Sequence, residues 1–130
     1  MAYRLFDYVN PAGINEFKAW TEGLEKVQRA KLNERLDKLE QHGDGLLPQV
    51  LSPTHVAGIL KLRVHGNVQL RPLLCRGPVR VRHEFTLLMG AKEIGDKWSP
   101  LDAPERAEHK KNEIKANPER GRRDHERVGK

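Results

Sequence analysis

Between Ile59 and Ala91, apolar and polar residues alternate in three successive runs, the pattern of strands whose side chains point to opposite faces. In Ile59 to His65, Leu60, Leu62 and Val64 oppose Lys61, Arg63 and His65. In Val68 to Cys75, Val68, Leu70 and Leu74 oppose Gln69, Arg71 and Cys75; Pro72 lacks a ladder amide and marks an edge or bulge. In Val79 to Met89, Val79, Val81, Phe85, Leu87 and Met89 oppose Arg80, Arg82, Glu84 and Thr86. The short connections His65-Gly66-Asn67 and Arg76-Gly77-Pro78 predict an antiparallel meander, one face apolar and the other basic.

Helical spacing appears elsewhere. Phe17, Trp20, Leu24, Val27, Leu32, Leu36 and Leu39 predict a helical hairpin or kinked helix from Asn15 to Gln41, broken at Gly23. Its stripe can cover the apolar face of the sheet. Tyr3 to Val9 reads as a further strand, and a last helix starts at Asp102, capped with Glu105 three positions on, and ends near Ala116 before Pro118. The expected fold is therefore α+β: an N-terminal helical hairpin on a small curved antiparallel sheet, with a C-terminal helix. Residues 1–117 form one domain, and 118–130, basic and poor in apolar residues, are expected to be a disordered tail.

Composition narrows the function classes. One cysteine, Cys75, permits neither an intrachain disulfide nor a paired-cysteine zinc motif, and it suits a reducing cytoplasm. No run approaches the roughly 20 apolar residues of a membrane span, so a soluble protein without a membrane partner is expected. No glycine-rich nucleotide motif or metal-ligand spacing is present, and neither cofactor nor metal is expected. The net charge of +6 is unevenly spread: residues 45–83 carry six basic side chains and no acidic one. Lys61, Arg63, Arg71, Arg76, Arg80 and Arg82 fall mostly on the polar strand face, so folding should gather them into one patch suited to a polyanion; a merely solvated face is the alternative.

This order of elements resembles the RelE/HigB toxin superfamily, in particular its phage-derived branch. The resemblance rests on the stretch from Phe17-Lys18-Ala19-Trp20 to Lys38-Leu39-Glu40, on Leu60-Lys61-Leu62-Arg63-Val64, and on Arg71. It continues through Phe85-Thr86-Leu87-Leu88-Met89-Gly90-Ala91-Lys92 and Lys97 to Pro100. It implies a ribosome-dependent endoribonuclease, or mRNA interferase, that cuts ribosome-bound mRNA in the cytoplasm and is held inactive by a helix-turn-helix antitoxin. By position, Lys61, Arg63 and Arg71 match basic substrate-facing residues and Lys92 a basic position after the last strand; Arg71 and Lys92 would stabilise phosphate and Lys61 with Arg63 position RNA, while Arg76, Arg80 and Arg82 of the basic patch would add RNA contacts.

Such cleavage needs a 2′-hydroxyl nucleophile, a group to take its proton, cations for the phosphorane and an acid for the leaving oxygen, but no metal. Family members often place a tyrosine or histidine near the C-terminus; here the tyrosines are Tyr3 and Tyr8. His65, at the first turn, is the histidine best placed for proton transfer, a solvated turn residue being the alternative. His83 reads as a core histidine, and Glu84 as a counter-charge to the arginines, a base being the alternative. Two other classes remain open: a noncatalytic RNA-binding or ribosome-binding module, and a phage protein-interaction domain on the same fold.

Overall fold

The computed structural model describes residues 2–129. In chain order the elements are β1 (Arg4–Tyr8), α1 (Glu16–Glu22), α2 (Lys26–His42), a 3-10 turn (Gly43–Leu46), β2 (Leu51–Pro53) and β3 (Leu60–Leu62). There follow β4 (Gln69–Leu70), β5 (Leu73–Arg76), β6 (Glu84–Met89), β7 (Lys92–Ile94), β8 (Lys97–Ser99), α3 (Ala103–Ala116) and β9 (Arg122–Asp124). The fold is α+β. A six-stranded sheet runs β2-β3-β5-β6-β1-β9, and a smaller one runs β4-β7-β8. No helix of the described residues is long and apolar enough to cross a membrane.

The helical hairpin breaks where the glycine stands. Asn15 Oδ1 accepts the Lys18 amide at 3.0 Å to start α1, and Gly23 caps its end. Glu25 and Gln28 close a reciprocal capping box that starts α2. Phe17, Leu32, Leu36 and Leu39 then pack on Leu60, Leu62, Leu74, Phe85 and Leu87 of the sheet. The other side of the sheet is also covered. There Ala103, Ala107 and Ile114 of α3 meet Tyr8, Leu73, Cys75 and Leu88.

That second layer overturns the expected basic face. The main sheet is mixed rather than antiparallel, because β1 enters parallel to β6, pairing Leu5 with Phe85. β6 thereby becomes an internal strand, and Glu84, Thr86 and Leu88 are as buried as the Phe85 and Leu87 they alternate with. The middle run divides into β4 and β5, which belong to different sheets. The third run becomes a strand only at Glu84. Gly77 and His83 both have positive φ (70° and 66°), and the chain between them leaves Val79, Val81 and His83 exposed, so His83 is not a core residue. Val27, assigned to the helical stripe, is likewise exposed. Asp102 stands at the N-cap of α3, but its side chain makes no capping bond and instead pairs with Arg106 at 2.7 Å.

The C-terminal segment, for which composition predicts disorder, is a strap. β9 pairs antiparallel with β1, placing Arg123 opposite Asp7. Beyond it, Asn33 Nδ2 donates to the Val128 carbonyl at 2.9 Å, and Arg127 pairs with Asp37 at 3.0 Å. Counting apolar residues misses such a segment because backbone pairing and charge, rather than side-chain burial, hold it. Lys130, the last residue of that expected tail, lies outside the described residues.

Candidate functional site

The expected site residues divide between the two ends of the sheet. β5 runs antiparallel to both β3 and β6, so the residues following β3 lie at one end and the β5–β6 connection at the other. Lys61, Arg63, His65, Arg71 and Lys92 belong to the first end, with Lys92 registered opposite Leu70. Arg76, Arg80 and Arg82 belong to the second.

At the first end a carboxylate from beyond the basic stretch intervenes. Glu93 Oε1 accepts from both Lys61 Nζ and Arg71 Nε at 2.8 Å. The Arg71 side chain is only 6% exposed, which removes it from direct contact with a large anion. Desolvation pushes the Glu93 carboxyl up, but the two cations outweigh it and hold the group below the usual carboxylate range. Lys61 also lies 5.4 Å from the Trp98 ring, a cation–π contact that ties the β7–β8 hairpin to the cluster.

Arg71 nonetheless reaches the histidine indirectly. Its Nη2 donates to Gln69 Oε1 at 3.1 Å, and Gln69 Nε2 donates to the Gly66 carbonyl at 3.2 Å. A short relay from the Glu93 carboxylate thus braces the turn that carries His65. His65 is exposed and lines a concavity of about 360 Å³ together with Glu25, Gln28 and Lys31 from the start of α2. Lys31 Nζ comes within 3.5 Å of the space above Gly66, and it makes no ion pair among the described residues. An imidazole and a free ammonium therefore flank one solvent-open groove. Arg63, whose Nε donates to Ser52 Oγ at 3.2 Å, and Lys92 are partly exposed beside this end.

At the second end Arg76 is held by Asp44 at 2.9 Å. Arg80 and Arg82 are exposed with no ion pair among the described residues. Glu84 is buried, as a counter-charge, but its partner is Arg122 of the strap at 2.8 Å.

Several groups escaped the sequence reading. Lys31 sits in a helix whose mixed charges read as a solvated face. Glu93 lies outside the carboxylate-free stretch, and Asp7 and His125 are 118 residues apart. Burial pushes the Cys75 thiol up to about 12, against the smaller opposing effects of Lys111 and the Thr86 backbone, so it is no nucleophile near neutral pH. Among the described residues, no group of three or more His, Cys, Asp or Glu side chains is arranged to hold a metal ion. Comparison with known proteins finds no matching family model, no significantly similar curated protein and no significantly similar solved structure.

Proposed function

We propose that this chain is a toxin-type endoribonuclease that cuts ribosome-bound mRNA without a metal, with an antitoxin carrying a helix-turn-helix as its partner. The observation that carries the reading is the groove lined by exposed His65 and by Lys31, which makes no ion pair among the described residues, beside the braced His65-Gly66-Asn67 turn. Neutral His65 takes the proton of the ribose 2′-hydroxyl, and the oxygen attacks the adjacent phosphorus. The P–O5′ bond breaks, His65 returns the proton to the leaving oxygen, and the products are a 2′,3′-cyclic phosphate and a 5′-hydroxyl. Lys31 supplies positive charge for the phosphorane. Arg71 acts here as a positioning residue, holding the turn through Gln69, rather than as a phosphate ligand.

The test is inducible expression in a bacterial host with mapping of mRNA 5′ ends. New 5′-hydroxyl ends within translated frames are expected for wild type, falling by roughly 10²–10⁴-fold in His65→Ala, the usual size of a general acid–base contribution. Intact transcripts despite folded wild-type protein would sink the nuclease reading. One observation favours noncatalytic RNA binding as the second reading: Lys61 and Arg71 spend their charge on Glu93, leaving fewer cations at this end for catalysis.

A further inference from the structure

We infer a second RNA-binding surface at the β1–β9 edge of the main sheet, formed jointly by the β5–β6 loop and the C-terminal strap. It deepens the RNA-acting reading above and rests on it for the choice of polyanion, but not for its geometry. A depression there is lined by Val79 of the loop, Arg4 and Phe6 of β1, and Pro118, Arg122 and Arg123 of the strap. Neither segment makes this surface alone. Residues some 40 positions apart in the chain meet because β9 pairs with β1 while β1 pairs with β6.

The charge is directional. The loop, β1 and the strap together carry Arg4, Arg80, Arg82, Arg120, Arg122 and Arg123, with Glu84, Glu113, Glu119 and Asp124 as the carboxylates among them. Two of those carboxylates are already occupied, Glu84 by Arg122 and Asp124 by Arg4 at 2.9 Å. Arg80, Arg82, Arg120 and Arg123 keep their charge without an ion-pair partner among the described residues. Four solvent-facing guanidiniums beside Glu119, which makes no ion pair among the described residues, and Glu113, which lies 3.4 Å from His109, form a phosphate-binding surface in which positive charge is in excess.

The surface is also held in place. Arg122 lies 3.8 Å from the Phe6 ring centroid and Arg4 lies 4.8 Å from it, so one buried aromatic orders both arginines. The strap is pinned beyond this point by Asp7 to His125 at 2.7 Å and by Arg127 to Asp37. Val79 and Val81, 42% and 65% exposed, alternate with Arg80 and Arg82, so apolar contact for ribose and base faces lies between the phosphate-binding groups. The surface lies at the β1–β9 edge of the main sheet and the His65 groove beside the residues that follow β3, so β5 and β6 stand between them. An RNA touching both must cross the sheet, as a long ribosome-bound message can.

The test is fluorescence anisotropy with a labelled 20-nucleotide RNA that is 2′-O-methylated throughout, so that binding is read without cleavage. Wild type is expected to bind with a steep salt dependence. The exposed-site variant Arg80→Ala/Arg82→Ala/Arg123→Ala should bind at least 10-fold more weakly, its log–log salt slope shallower by about 2, since each phosphate contact on a single strand contributes about 0.7. Glu119→Gln should bind more tightly. Unchanged affinity in the triple variant, or no wild-type binding at low salt, overturns the surface. Equal affinity for poly-glutamate of matched length, lost in the same variant, overturns the RNA assignment in favour of an acidic protein. If mRNA stays intact in cells while the arginines govern this binding, the nuclease reading fails and the surface stands. If cleavage occurs and the triple variant binds normally, the surface alone fails.

Discussion

His125 Nδ1 lies 2.7 Å from Asp7 Oδ1, with the two side chains 2% and 3% exposed. Asp7 Oδ2 accepts in turn from Asn15 Nδ2 at 2.8 Å, so one carboxylate joins the strap, β1 and the cap of α1. The His125 ring also stands edge-on to Phe17, at 5.9 Å between centroids. Removing the carboxylate leaves an imidazole and an amide without their shared acceptor in a buried place. Asp7→Ala should therefore cost about 1–3 kcal/mol in urea unfolding, the usual range for leaving a buried donor unsatisfied. His125→Ala should in addition speed amide exchange across 118–129 while leaving α2 protected; uniform protection in both segments would show that the pair does not secure the strap.

Glu93 sets an acid limit on stability. Its carboxyl is held below the ordinary value of 4.5 in the folded protein, so its contribution is fully present above that value and is lost as the pH falls through the folded pKa. Wild type should therefore lose stability below about pH 4.5 with a steeper slope than Glu93→Gln. At pH 7 the variant should itself be weaker by roughly 1–3 kcal/mol, since buried Arg71 would lose its charged acceptor. Chemical unfolding at a series of pH values reads both quantities, and parallel curves would remove Glu93 from the acid transition.

Gly90 is required by its neighbour rather than by its backbone angles. A Cβ at this position would lie 1.9 Å from Trp20 Cδ2, inside the indole that rests on the glycine. Gly90→Ala must displace the ring from the core of the α1 side, at a cost of about 1–3 kcal/mol. Lower thermal stability with a red-shifted tryptophan emission is expected; an unchanged spectrum and midpoint would mean that Trp20 does not pack there. The same substitution at Gly95, where no atom lies within 4 Å of the added Cβ but φ is +63°, would strain the backbone without moving either indole from a contact.

Much of the fold was legible because local rules set it. The break between α1 and α2 falls at Gly23, and the apolar positions Phe17, Leu32, Leu36 and Leu39 all reach the core. α3 ends at Ala116, two residues before Pro118. The basic face was not legible, and the reason is specific. Residues 45–83 hold no carboxylate, yet Asp44 and Glu93 from outside that stretch fold back onto Arg76, Lys61 and Arg71. Charge segregated along a chain need not stay segregated in space.

Composition and periodicity by themselves determined the helical hairpin, the basic excess and the turn that carries His65, because each depends on residues within a few positions of one another. Only the tertiary structure decided that β1 runs parallel to β6, that α3 covers the second face, and that the polar C-terminal segment becomes a strap. Those outcomes depend on contacts between residues as distant as Asp7 and His125, whose partners no local pattern names. The candidate groove and the second cationic surface follow from the same pairings: Lys31 meets the His65 turn, and Arg123 meets Val79, only after the sheet has assembled.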